Sequence, residues 1–341
     1  MTLLLLLLLA LPASALEFQA PEVTGEAAST MPEDTSSFAG GLLEIGKRAI
    51  SALQPELKEA AGISLSVMAV VLLASLVNGM PGKSEKVIRL VCTLALGTLL
   101  LRNASTMVRL GSETVEQLSD YGKLLLPVMT AALAAQGGTG SAAALYAGTA
   151  VFDSLLSSLI GKLLVPLVYV YIALAIANAA TGEELLKKLR DFIKWLMTWG
   201  LKTVLYIFTG YMSITGVISG VTDAATVKAA KLIISSTIPV VGGILADASE
   251  AVILSAGVMK SAVGVYGLLA VAAIWMTPFL RIGLQYLLLK LTAAVCQVFG
   301  VKEASDLVSD FSGAMGVLLG MTGAVSFLLL ISTVCMMKGM G

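Results

Sequence analysis

Residues 311–337 read FSGAMGVLLGMTGAVSFLLLISTVCMM, 27 positions without a charged side chain. A helix of that length reaches about 40 Å, more than the roughly 30 Å hydrocarbon core of a bilayer. The run is continuous rather than alternating, so it suits a membrane helix and not a strand of an outer-membrane barrel. The rest of the chain agrees. Of 341 residues 57% are apolar and 13% charged, where a soluble domain carries roughly 25% charge. Mean hydropathy is +0.92. A soluble fold of this size could not hide so much apolar surface. The sequence therefore predicts an all-α, polytopic helical membrane protein.

Working back from that run, further spans fall at residues 60–80, 87–101, 163–180 and 201–221, and residues 251–299 are nearly continuous apolar sequence. Two apolar runs are short. Residues 124–135 contain Pro127 and precede Gly137 and Gly138; residues 232–246 contain Pro239, Gly242 and Gly243. Twelve residues of helix reach only about 18 Å, so re-entrant or broken helices, or surface helices, are expected there. The total is about seven spans, with a range of six to nine.

Between the spans lie amphipathic stretches. Residues 38–59 show near-helical apolar spacing and should form one or two interfacial helices broken at Pro55. Residues 103–123 are polar and amphipathic. Residues 183–202 place Lys187, Lys188, Arg190, Asp191 and Lys194 opposite an apolar face, with Trp195 and Trp199 suited to the interface. At the N-terminus, residues 1–15 (MTLLLLLLLALPASA) match a signal peptide with an A-x-A site, though without a basic n-region. Residues 16–37 are acidic and read as a flexible exported tail. The membrane domain proper is then 60–341. An exported N-terminus puts Lys83 and Lys86 inside, and also the Lys187–Lys194 stretch if residues 124–160 do not change sides, in modest accord with the positive-inside rule, since Arg102, Arg109 and Lys123 then lie outside.

A weak internal repeat is visible over residues 124–221 and 232–337. Pro127 matches Pro239 and Pro166 matches Pro278 at an offset of 112; Glu184, Asp191 and Phe192 match Glu303, Asp310 and Phe311 at an offset of 119. Duplication and chance both produce such offsets in apolar sequence. Duplicated halves with broken helices are a recurrent transporter design.

The chemistry-bearing residues are few. Lys+Arg and Asp+Glu number 22 each, so nucleic acid is not an expected partner, and the chain has no histidine. That removes the commonest general base and metal ligand. No nucleophile–base pair, metal cluster or nucleotide loop is recognisable, so no catalytic residue, metal or cofactor is expected. Cys92, Cys296 and Cys335 lie in apolar runs and read as buried thiols. Asp153, Lys162, Arg281 and Lys290 are intramembrane charges, which are costly and often functional. Asp153 and Lys162 fall on opposite faces of a regular helix and should not pair. Asp247 and Glu250 share a helical face beside the short run 232–246. They read as a solvated acid pair, with a cation or proton site as the alternative. Two stripes of small residues, Gly313, Gly316, Gly320, Gly323 and Thr209, Ser213, Gly216, Gly220, have helix-packing spacing. They serve packing within the subunit or assembly between subunits, homo-oligomers included. Val317, about 100° round from Gly316, is expected to meet lipid or a looser contact.

Residues 216–231 (GVISGVTDAATVKAAK), followed by Ile238-Pro239-Val240-Val241-Gly242-Gly243-Ile244-Leu245-Ala246-Asp247, resemble the stage III sporulation protein AE family of endospore-forming bacteria. The similarity runs from about Phe38 to the C-terminus. This chain departs from the family in its non-basic signal and its shorter exported segment. The resemblance implies a subunit of a multi-protein channel, similar to secretion systems, in the mother-cell membrane around the forespore. Its implied partners are the sibling proteins of the same operon (AA to AH), among them the secretion-type ATPase AA, and the forespore protein Q. The implied role is support of forespore development and late forespore gene expression under sigma factor G. A stand-alone secondary transporter built on the repeat is the alternative reading.

Overall fold

A computed structural model describes residues 20–78, 85–135, 139–214 and 262–339, and all regular structure among them is helical. The helices are α1 (Glu26–Thr30), α2 (Phe38–Asn78), α3 (Glu85–Ala135), α4 (Thr139–Leu159), α5 (Val165–Thr181), α6 (Glu184–Ile214), α7 (Ala262–Val298) and α8 (Lys302–Gly339), with a π-helical turn Ile160–Leu164 joining α4 to α5. Five are long and apolar enough to cross a membrane: α2, α3, the α4–α5 unit, α7 and α8. α6 is not among them, because its first half is strongly charged. The broken segment expected at 232–246 and the end of the span expected at 201–221 lie outside the described residues.

Two expected breaks are absent. α2 runs unbroken through Pro55 and fuses the amphipathic stretch to the following span. α3 runs unbroken through Pro127, so residues 124–135 end a 51-residue helix rather than forming a separate re-entrant segment. A proline removes one backbone donor and clashes with the preceding turn. Pro55 and Pro127 both point outward, so no neighbouring helix has to adjust to their rings. At Pro166, which is also exposed, the helix does respond. The Pro166 ring would crowd the Lys162 carbonyl, and the π turn widens the helix at that point; Val165 N–H bonds Ile160 O, five residues back.

α8 is the centre of the bundle. It packs against α3, α4, α5, α6 and α7, and 94% of its apolar window is buried, against 28% for α2. Leu65, Leu72, Leu73 and Leu76 of α2 and Leu287 and Leu291 of α7 stay exposed, as a lipid-facing rim requires. Hydroxyls stitch the layers together. Thr149 donates to Ser332 (2.9 Å) between α4 and α8, and Ser312 donates to the Tyr286 carbonyl (3.2 Å) between α8 and α7.

The stretch expected as a flexible tail folds back from residue 20 onward. α1 lies on α7 with Ala27 and Thr30 buried, and Arg48 donates to the Ser29 and Met31 carbonyls (3.2 and 2.5 Å). Composition suggested disorder there because the stretch has few large apolar groups; polar anchors hold it together with apolar contacts of Ala20, Val23, Ala27 and Met31.

Two helical hairpins have a common plan. α5 turns into α6 at Gly182 (φ 74°), and α7 turns into α8 at Gly300 (φ 75°), each in the left-handed conformation that suits glycine. Each second helix carries an acid in its first turn, Glu184 or Glu303. These are the residues matched by the sequence repeat.

Candidate functional site

The most concentrated charge inside the bundle is a cluster joining α5, α6 and α8. Arg190 Nη1 donates to Asp310 Oδ2 at 2.5 Å, and its Nη2 and Nε donate to Asp191 Oδ1 at 2.8 and 3.0 Å. Tyr171 Oη donates to the other Asp310 oxygen at 3.2 Å. The Arg190 and Asp310 side chains are only 11% and 14% exposed. Burial pulls the Arg190 guanidinium down, but the bond to Asp191 and the Asp310 charge outweigh it and hold it above its ordinary value. Asp191 and Asp310 are repeat-matched, and both bind this one guanidinium. Neither Arg190 nor Asp310 was singled out by sequence as a site. The offset match of the two aspartates was the signal that could have found them. Gly313 adjoins the cluster: a Cβ there would lie 2.9 Å from Lys194 Nζ and 3.0 Å from the Tyr171 hydroxyl.

Asp153 is buried in α4 and accepts a 2.7 Å bond from Ser119 of α3, while its Oδ1 has no partner. Lys162 is exposed on the π turn. Ser119→Ala should lower stability by about 1–2 kcal/mol, because it strips a charged acceptor of its donor in a dry contact. A thermal melt of the detergent-solubilised protein measures this. A wild-type melt would mean that Asp153 has another donor.

A third group surrounds Arg281 of α7. Its Nη2 meets Glu26 Oε1 of α1 at 2.8 Å, its Nη1 meets the other Glu26 oxygen at 3.3 Å, and its Nε lies 3.3 Å from Glu56 of α2. Beside it opens a cavity of about 250 Å³ between α2, α3 and α7. Lys290, further along α7, is exposed with its ammonium over the Tyr286 ring. Of the four intramembrane charges read from sequence, Arg281 and Asp153 engage partners from other helices, while Lys162 and Lys290 face outward.

The small-residue stripe of α8 is internal. Gly316, Gly320 and Gly323 are buried within the subunit and Gly313 is half-buried. Val317 is 0% exposed, so the expected lipid contact is wrong: α8 is surrounded on all sides and has no lipid face. In the second stripe, Thr209 is half-buried in α6 and donates to the Leu205 carbonyl (2.8 Å). Ser213 is in the last turn of α6, and Gly216 and Gly220 lie outside the described residues, as do Gly137, Gly138, Pro239, Gly242, Gly243, Asp247 and Glu250. Pro127 lies on the exposed face of α3, in continuous helix. Among the described residues no group of three or more His, Cys, Asp or Glu could hold a metal ion.

Among the described residues, long helices surround a buried central span, and one buried ion pair, Arg190–Asp310, joins α6 to α8. The chain is 27% identical over 216 residues to stage III sporulation protein AE of Bacillus subtilis (strain 168), a match covering 63% of this chain and 54% of the relative. The match therefore spans about half the length of that curated relative. No solved structure matches the chain. The family model described as stage III sporulation protein AE matches residues 33–340. The chain belongs to the stage III sporulation protein AE family.

Proposed function

We propose that this chain is an integral-membrane subunit of a channel complex, similar to a secretion apparatus, that joins mother cell and forespore. It acts in the mother-cell membrane around the forespore, with its N-terminal segment in the intermembrane space. It supports forespore development and late forespore gene expression, and it is not an enzyme. Its partners are the sibling proteins of the stage III sporulation A operon, including the ATPase AA, and forespore protein Q. The observation that carries this reading is family membership across residues 33–340. The five apolar helices fit a membrane subunit. The matched hairpins α5–α6 and α7–α8 support an internal duplication within 124–221 and 232–337.

Deleting the gene should arrest the forespore, and the tagged protein should co-purify with its siblings. Normal sporulation without the gene would overturn the proposal. Solute transport by the purified chain alone in vesicles would favour the stand-alone transporter, for which the polar cavity beside Arg281 is the supporting feature. The orientation has its own test. With Cys92, Cys296 and Cys335 replaced by Ala, an impermeant thiol reagent applied from the exported side should label Ser37→Cys and not Ser84→Cys. Labelling of both, or of Ser84→Cys alone, would reverse the topology.

A further inference from the structure

α2 and α3 are far longer than a bilayer is thick. Their 41 and 51 residues reach about 60 and 75 Å, against a hydrocarbon core near 30 Å, so lipid can cover only part of each. The exposed side chains change character partway along both. In α2 the exposed positions beyond Glu59 are uncharged, with Leu65, Leu72, Leu73 and Leu76 foremost. Before that point they include Lys47, Gln54, Lys58 and Glu59. In α3 the order is reversed, because the helix runs back. Val87, Leu90, Val91, Leu94 and Leu101 are exposed first, and Arg102, Arg109, Glu113, Glu116, Asp120 and Lys123 follow.

The change falls at nearly the same level on neighbouring helices. Glu59 of α2, Asn103 and Thr106 of α3 and Arg281 of α7 line one cavity. Past Arg281, α7 exposes Leu287 and Leu291. A second cavity sets Lys162 of the π turn beside Glu116 of α3, and past Lys162 the chain exposes Leu163, Tyr169 and Val170. From that level, residues 60–78, 85–101 and 163–181 each reach about 25–28 Å, close to the thickness of a hydrocarbon core. The far edge falls at the α5–α6 and α7–α8 turns, where Lys187, Lys188 and Lys302 are exposed. Within the slab α6 exposes Phe192, Trp195 and Trp199, and its Arg190 is neutralised by Asp191 and Asp310. Lys290 also lies within it, but its ammonium reaches back over the Tyr286 ring, one turn nearer the edge.

We propose that lipid hydrocarbon covers only this half of the bundle, between those turns and the level of Glu59, Arg102, Lys162 and Arg281, and that the other half of α2 and α3 stands in water on the side of residues 20–37. Lipid over that other half would meet the charged face of α3, which is costly. Lys162 and Arg281, intramembrane by sequence, then mark the edge. The end of the charge-free run 311–337 is enclosed by protein rather than lipid, as its burial shows. The placement holds whichever side is exported, so the labelling of Ser37→Cys tests orientation separately.

The test uses the full chain in phosphatidylcholine vesicles, with Cys92, Cys296 and Cys335 replaced by Ala. Nitroxides are attached singly through Ala69→Cys, Thr98→Cys, Gln54→Cys, Gln117→Cys or Tyr206→Cys, all exposed positions. Tyr206 lies near the level of Gln117, since Phe208 meets Phe152 and Ser119 meets Asp153. Spin-resonance saturation compares collisions with oxygen, which concentrates in hydrocarbon, and with a water-soluble nickel chelate. Ala69→Cys and Thr98→Cys should favour oxygen, and the other three the chelate. The chelate-to-oxygen ratio should differ at least about tenfold between the two sets, because hydrocarbon excludes the polar chelate. Chelate access at Ala69→Cys or Thr98→Cys, or its loss at Gln54→Cys or Gln117→Cys, would overturn the proposal. So would chelate access at Gln117→Cys beside an oxygen-dominated Tyr206→Cys, which would mean that the charged α3 face lines a water-filled path inside the bilayer.

Discussion

Asp310→Leu should destabilise the protein by about 3–5 kcal/mol, the largest loss expected from a single side chain here. The reason is what it leaves behind. Arg190 is buried at the join of α5, α6 and α8, and its other carboxylate, Asp191, is 56% exposed. Without Asp310 a guanidinium remains in a space lined by Tyr171 and α8, with one partly solvated partner. The Tyr171 hydroxyl also loses its acceptor. The double substitution Arg190→Met with Asp310→Leu should recover much of the loss, since a buried pair replaced by apolar groups is often neutral or better. A double-mutant cycle on melting in detergent measures this. If the double variant is as unstable as the two single losses added, the pair is not coupled, and the destabilisation arises from packing alone.

That cluster also marks how far the sequence could be read. The central run 311–337 was legible as a span because it holds no charge over a bilayer's thickness. Its place in the middle was not legible. Lipid tails are as apolar as leucine, so a lipid-facing helix and a protein-enclosed helix have similar hydropathy. Val317 was misjudged for this reason. Pro55 and Pro127 were read as breaks because a proline costs a helix one bond; whether its ring meets a neighbour or points outward depends on tertiary placement. Arg190 and Asp310 are 120 residues apart, and Ser119 and Asp153 are 34 apart, so helical spacing could not pair them. The offset of 119 did link Asp191 to Asp310, and the structure gives that match a physical meaning: two related aspartates on one arginine. The signal was available, but without a partner residue it pointed to no site.

Glycines give the second large effect, and one with opposite signs at two positions. Gly148→Ala should destabilise the protein by about 1–3 kcal/mol through overpacking. At Gly148 the α4 backbone lies against the Tyr211 ring of α6, and an added Cβ would fall 2.5 Å from Cζ and 2.7 Å from the hydroxyl. The ring cannot fold away at one end as an aliphatic chain can. Tyr211 is also fixed by its 2.8 Å bond to the Ala144 carbonyl and by Phe152, whose ring centroid is 5.8 Å distant. Moving the ring therefore costs that bond as well, about 1 kcal/mol more. Gly46→Ala should act the other way. It is an interior position of α2 where an added Cβ would meet nothing within 4 Å, so only the backbone term remains. Alanine there reduces the freedom of the unfolded chain and should stabilise by about 0.5–1 kcal/mol. Melting of the two variants under one set of detergent conditions should bracket the wild type. If Gly148→Ala melts with or above wild type, α4 and α6 do not meet as closely as this packing requires.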